Sequence, residues 1–196
     1  NEGSIKYMGN EISQMKSKDK ETYRKEVQLV FQDPFSSLNP RHTIGEAIME
    51  PIRVHGIARG QAVKNRVYEL LEQVSLPPDS FFRYPHEFSG GQRQRIAIAR
   101  ALALNPKVLV CDEMVSALDV SVQAQILNLL NRLKEEFNLT YIFISHDLSV
   151  VKYISNRLIV MQNGEIVEIG NSDDIYQNPK KNYTKRLIAA IPGKAI

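Results

Sequence analysis

Phe88-Ser89-Gly90-Gly91-Gln92-Arg93-Gln94-Arg95, continuing as Ile96-Ala97-Ile98-Ala99-Arg100-Ala101-Leu102, reads as a loop that opens a helix. Ser89 is a strong N-cap residue, and Gln92 follows three positions later, the spacing of a capping box. The two glycines between them carry no side chain, so a ligand can approach the backbone closely. A helix N-terminus presents unpaired N–H groups and the positive end of the helix dipole. Ser89, Gly90, Gly91 and Gln92 are therefore either a plain capped helix whose glycines serve turn geometry, or a seat for an anion, usually phosphate. Local chemistry leaves both open.

The strands around this loop bear on the choice. Val108-Leu109-Val110-Cys111 is a short, continuously apolar run of the kind buried in a parallel sheet, and it runs into Asp112-Glu113. Thr140-Tyr141-Ile142-Phe143-Ile144 is a second such run, ending at Ser145-His146-Asp147. Val27-Gln28-Leu29-Val30-Phe31 reads as a third buried-type strand, ending at Gln32. Ligands of open α/β sheets lie outside the carboxyl ends of the strands. Gln32, Asp112, Glu113 and His146 are thus expected on one rim. Two adjacent acids at a buried strand end are costly unless a cation or a reacting group uses them. Asp112 stands where an aspartate holds Mg2+ directly or through water, and Glu113 could orient and deprotonate a water. Either acid alone could equally sit in a solvated loop. A lone histidine is most often structural, and His146 stays between that role and a functional one. Ser116-Ala117-Leu118-Asp119 reads as a turn with Asp119 capping the next helix.

The rest of the chain supplies the frame. Ser4-Ile5-Lys6-Tyr7-Met8 meets the turn dipeptide Gly9-Asn10, which predicts an antiparallel edge hairpin. Residues 14–26 are rich in Lys, Asp and Glu with little apolar pattern, a solvated helix or connector. Asp33-Pro34-Phe35-Ser36-Ser37-Leu38-Asn39-Pro40 is a loop by its prolines and small polar residues. Ile44, Ile48 and Ile52 lie four apart, and Val63, Val67, Leu70, Leu71 and Val74 trace one helical face. Two or three helices without strands, lodged between strands, predict an inserted helical subdomain over residues 43–104, with the organising loop near its end. Residues 1–42 and 105–196 then form an α/β core. Val122, Ile126, Leu129, Leu130, Leu133 and Phe137 share a face of a further helix. Asn163-Gly164 between two apolar runs is a strong hairpin signal, and the tail reads as short helices broken at Pro179. Strands alternating with helices predict an α/β fold with a mainly parallel sheet.

Composition excludes several classes. The 196 residues are 43% hydrophobic and 24% charged, ordinary for a globular protein, and there is no internal repeat. A net charge of +3 is too small to argue for nucleic acid or an anionic membrane. Cys111 is the single cysteine and reads as a buried core residue in a reducing compartment. No apolar run approaches the roughly 18 residues needed to span a bilayer, and no charged-then-apolar leader pattern opens the chain. The chain starts at Asn1 and enters strand-like sequence almost at once, so an absent upstream part is expected.

Taken in order, these stretches resemble the ATP-binding subunits of ABC transporters. Phe88-Ser89-Gly90-Gly91-Gln92 resembles the signature loop, residues 108–112 the Walker B strand with Asp112, and Glu113 the catalytic glutamate. Ser116 to Asp119 resembles the D-loop, His146 the switch histidine and Gln32 the Q-loop glutamine. The resemblance covers essentially the whole chain. Within the family, the loop from Gln32 to Pro40, and Tyr183-Thr184-Lys185 with Ala189-Ala190-Ile191-Pro192, resemble the peptide and nickel importers.

The resemblance implies a P-loop NTPase-like fold and an ATPase that drives uptake of oligopeptides, dipeptides or a related solute such as nickel. Glu113 and His146 would be catalytic. Ser89, Gly90, Gly91, Gln92, Asp119 and Gln32 would contact ATP, and Asp112 and Gln32 would hold Mg2+. The partners would be transmembrane permease subunits, met through the Gln32 loop and the helical subdomain, a second ATP-binding subunit and, indirectly, an extracytoplasmic solute-binding protein. The place would be the cytoplasmic face of the membrane. Two such subunits would pair head to tail, so that Ser89, Gly90 and Gly91 act on a nucleotide held by the partner.

Two departures stand out. No Gly-x-x-x-x-Gly-Lys-Ser/Thr occurs in the chain. That P-loop, which holds the β and γ phosphates, is expected upstream of Asn1, and these 196 residues alone are expected to be inactive. Met114 stands where the family usually has proline and is expected to loosen the turn after Glu113. A non-hydrolysing partner that lends only its signature loop is the alternative function. ATPases of DNA repair and chromosome maintenance share the loop but carry long coiled coils, and no heptad run appears here.

Overall fold

The computed structural model describes residues 3–34 and 37–191, which fall into two compact units, Asn1–Ile142 and Phe143–Ile196. Phe35 and Ser36 of the predicted loop, and Pro192 of the tail, lie outside the described residues.

The first unit opens with the predicted hairpin, β1 (Lys6–Tyr7) against β2 (Asn10–Glu11). Its turn sits one residue earlier than the sequence predicts. Met8 and Gly9 both take positive φ, 48° and 80°, as a tight hairpin turn requires of its two central residues, and Asn10 is already paired. α1 (Ser17–Glu26) buries no residue, as its composition predicts. Tyr7 ties the hairpin down by donating its hydroxyl to Glu26 at 2.9 Å, and Lys107 pairs with the same carboxylate.

β3 (Val27–Val30) follows. α2 (Ile44–Val54) starts at a complete capping box between Thr43 and Glu46. Its stripe Ile44, Ile48 and Ile52 is fully buried, each side chain contributing about 1.5–3 kcal/mol of burial. α3 (Gln61–Gln73) buries Val63, Val67, Leu70 and Leu71 against it. Two short 3-10 turns at Pro78–Phe82 and Pro85–Glu87 lead to α4 (Gly90–Leu102). Gly45 permits one close approach here, since a Cβ would come within 2.8 Å of the Phe81 ring. β4 (Val108–Asp112), α5 (Val120–Glu136) and β5 (Thr140–Ile144) complete the set.

The sheet order is β3-β4-β5, and β3 pairs in parallel with β4 from Val27↔Val108 to Val30↔Cys111. The long connection through α2, α3 and α4 is what a parallel neighbour requires. α4 packs on β3 and on α5. Leu109 and Cys111 are fully buried, and burial pushes the Cys111 thiol up to about 12. Two expected buried strands are only half covered. Leu29 and Phe31 are 43% and 52% exposed, and Ile142 is 53% exposed. Among the described residues β3 and β5 are the outer strands, and an apolar run reads the same at an edge as in the middle of a sheet.

In the second unit, α6 (Leu148–Ile154) is capped by Asp147, which accepts from Ser149 and Val150 N–H. β6 (Arg157–Gln162) and β7 (Glu165–Asn171) form the predicted hairpin, with Asn163 and Gly164 at φ 52° and 84° in its turn. α7 (Ser172–Gln177) and α8 (Asn182–Ala189) flank Pro179 as predicted. Val151, Leu158, Val160, Ile175, Tyr176 and Ile188 form this unit's core.

Candidate functional site

The N-terminus of α4 forms as read from the sequence. Ser89 Oγ accepts from the Gln92 N–H at 3.3 Å, and Gln92 Oε1 accepts from the Ser89 N–H at 3.0 Å. Ser89 and Gly90 are exposed. The glycines do not serve unusual dihedrals, because neither has a positive φ. Gly91 is buried, and a Cβ there would meet Val122 Cγ1 at 2.3 Å. A Cβ on Gly90 would lie 3.6 Å from Leu118. So Gly91 must lack a side chain because the start of α4 sits on the first turn of α5, while Gly90 has ordinary room for one.

Gly91→Ala is therefore expected to cost about 1–3 kcal/mol through overpacking. The melting temperature should fall by roughly 2–4 °C for each kcal/mol in a domain of this size. Adding Val122→Ala should recover most of the loss. A Gly91→Ala melt that matches the unmodified protein would remove the contact from the account.

The turn after β4 lies beside this corner. Asp112 and Glu113 are both half-buried. Glu113 has φ 46°, in the left-handed region that non-glycine residues rarely enter. Met114 and Val115 are 1% and 2% exposed. Met114, the methionine noted after Glu113, is thus a buried side chain beneath the turn. It also leaves the left-handed backbone open to Glu113, since a following proline favours extended conformations. Asp119 Oδ1 accepts from the Val122 N–H at 3.0 Å and caps α5, as expected.

The parallel register Val30↔Cys111 brings the end of β3 beside the end of β4. Gln32 donates from Nε2 to Ser116 Oγ at 3.2 Å, and Ser116 Oγ donates to the Glu113 carbonyl at 2.8 Å. Gln32, Asp112, Glu113, Ser116, Asp119 and the start of α4 thus share one neighbourhood of the first unit. His146 is exposed and belongs to the second unit, one residue before the Asp147 cap, where the Asp147 N–H donates to Ser145 Oγ at 3.0 Å.

The side chains that could serve a divalent cation here are Asp112 and the Gln32 amide. The Gln32 nitrogen is spent on Ser116, so its oxygen is the atom suited to a cation. Among the described residues there is no group of three or more His, Cys, Asp or Glu that could hold a metal.

Two arginines were not legible as structural. Arg95 Nη1 donates to the Val74 carbonyl at 2.9 Å, and Arg132 donates to the Gln73 carbonyl, so α4 and α5 each hold the C-terminal end of α3. Arg95 is pushed below the usual guanidinium range by burial and then by Arg132. Their sequence context is that of ordinary helix surface, and only the tertiary fold reveals the carbonyls they reach.

The family model described as "ABC transporter" matches residues 1–116. The chain belongs to the ABC transporter family. The glutathione import ATP-binding protein GsiA of Salmonella paratyphi A is 53% identical over 191 residues, 97% of this chain and 31% of the relative. GsiA of Escherichia coli K12 is likewise 53% identical, over 190 residues, 97% of this chain and 30% of the relative. This ABC transporter chain therefore spans about a third of the length of the curated relatives it matches. Among solved structures, the ATP-binding cassette MJ0796, dimeric in a post-hydrolysis state with ADP and Pi, superposes with a TM-score of 0.74. It is 29% identical, and the match covers 87% of this chain and 74% of that one. The α/β fold with a parallel sheet is thus that of an ABC ATPase.

Proposed function

We propose that this ABC transporter chain is the signature-loop and Walker B part of an ATPase that drives uptake of a peptide-like solute. The observation that carries it is the corner described above, where a capped helix N-terminus packs against the turn bearing Asp112, Glu113 and Asp119. The peptide-like solute is supported by the GsiA relatives, named for glutathione import, and by the loop from Gln32 to Pro40. Oligopeptides, dipeptides and nickel are the wider class.

In the proposed reaction Glu113 takes a proton from water as its oxygen bonds to the γ-phosphorus, and the bridging bond breaks to leave ADP and inorganic phosphate. Asp112, with the Gln32 oxygen, would hold Mg2+, which neutralises charge on the phosphates when bound. Asp119 and His146 would complete the contacts to the nucleotide in this reading. Ser89 and the Gly90 and Gly91 N–H groups would face the γ-phosphate of a nucleotide held by a second ATP-binding subunit, where a helix N-terminus favours an anion. Residues 43–104 would be the helical subdomain, set between residues 1–42 and 105–196 of the core.

The permease subunits would meet a groove of about 260 Å³ lined by Phe31, Pro51, His55, Ala97, Arg100 and Leu104. A solute-binding protein would act indirectly through them, with the whole assembly at the cytoplasmic face of the membrane. Among the described residues no helix is long and apolar enough to cross a membrane. The second reading is a non-hydrolysing partner that lends only its signature loop to a nucleotide held by another subunit.

The test is Mg-ATP turnover and ATP-dependent uptake of glutathione by the full-length gene product with its permease. Turnover with uptake supports the first reading. Dimerisation with an active partner, without turnover of its own, supports the second.

A further inference from the structure

One hydroxyl ties the turn after β4 to the end of β3. Ser116 Oγ accepts from Gln32 Nε2 at 3.2 Å and donates to the Glu113 carbonyl oxygen at 2.8 Å. The Ser116 N–H reaches the same carbonyl at 3.1 Å. A serine hydroxyl has one proton and two lone pairs, so the two side-chain bonds run in one direction, from Gln32 through Ser116 to Glu113. Bonds in such a run polarise one another. The run ends on the peptide of a residue at φ 46°, a conformation that persists in a side-chain-bearing residue only when its surroundings hold it. Met114 and Val115 hold one side of that turn by burial. Ser116 holds the other with two donors on one carbonyl.

A serine that bonds back to the carbonyl three residues earlier is a common local turn motif. The bond from Gln32 is not local: it spans 84 residues and joins two strand ends. The Cα–Cβ bond of Glu113 follows the tilt of its own backbone, so a group that fixes the Glu113 carbonyl fixes the base from which the carboxyl reaches out, and the rotamers open to it depend on that backbone. A misplacement of about 1 Å at a reacting group can cost up to 10²-fold in rate.

We propose that Ser116 is a positioning residue, whose hydroxyl carries the position of Gln32 to the Glu113 peptide and so aims the Glu113 carboxyl at its water. The proposal rests on the reading of Glu113 as the base in ATP hydrolysis. Ser116 and Gln32 are both exposed, so their variants should fold.

In the full-length gene product, Ser116→Ala is expected to lower kcat for ATP by about tenfold, with KM and melting temperature unchanged. Ser116→Thr, which keeps the hydroxyl, should restore most of kcat. Gln32→Ala, at saturating Mg-ATP, should cost at least as much, because its oxygen is also read as a Mg2+ ligand, and adding Ser116→Ala to it should cost nothing further, as residues acting in one run do. A Ser116→Ala enzyme with unchanged kcat overturns the proposal, as does a double variant whose losses multiply. A lowered melting temperature with unchanged kcat assigns Ser116 to the turn alone and also overturns it. If Glu113→Gln abolishes turnover while Ser116→Ala does not move it, the proposal fails and the ATPase reading stands. If the unmodified protein turns over no ATP, the ATPase reading fails first.

Discussion

Glu113→Gln in the full-length gene product is expected to lower ATP turnover by about 10²–10⁴-fold, the range that a positioned general base supplies. Glutamine keeps the shape of the side chain and can still hydrogen-bond a water, but it cannot take the proton. The turn itself should survive. Met114 and Val115 are buried beneath it, and both bonds from Ser116 go to the Glu113 backbone, which the substitution does not touch. The melting temperature should therefore hold while kcat collapses. A loss of less than tenfold would assign the base to another group.

Ser89→Arg is expected to abolish ATP-driven dimerisation. Ser89 is exposed at the N-terminus of α4, with its hydroxyl already accepting from the Gln92 N–H. Arginine removes that cap, at a cost of about 1 kcal/mol. It also sets a cation at the positive end of the helix dipole, over the Gly90 and Gly91 N–H groups where a partner's phosphate would lie. Ser89→Ala is the control, since it loses the cap without filling the site. On a sizing column with Mg-ATP, in the Glu113→Gln background that preserves the nucleotide, the control should still dimerise and the arginine variant should not. An arginine variant that dimerises as readily as its control would take Ser89 out of the phosphate site.

Much of this corner was legible because it is local. The capping box at Ser89 and Gln92, the cap at Asp119 and the turn at Asn163-Gly164 each depend on residues within three positions of one another. Burial of the α2 stripe and of Cys111 followed from periodicity and from an unbroken apolar run. What escaped the sequence is tertiary. Leu29 and Ile142 belong to apolar runs yet stand half open, because edge and middle strands share one composition. Gly91 read as open backbone, and its contact with α5 was not legible, because only the fold brings Val122 to it. The burial of Met114 was not legible either, because a flexible side chain can fill a pocket that the sequence does not reveal. Ser116 was placed in the right turn, but nothing in its neighbours points to an amide 84 residues away.

The single cysteine has a practical use. Cys111 lies fully buried within β4, with its thiol pushed up to about 12. A thiolate is the reactive form, so this residue should stay silent toward maleimides and methanethiosulfonates in the folded chain. A cysteine placed at exposed Ala117, in the turn between Glu113 and α5, would then be the one site these 196 residues offer to a spin label or fluorophore. Under the proposed pairing with a second ATP-binding subunit, a label at that position would report the approach of the partner without first stripping the core of its native thiol.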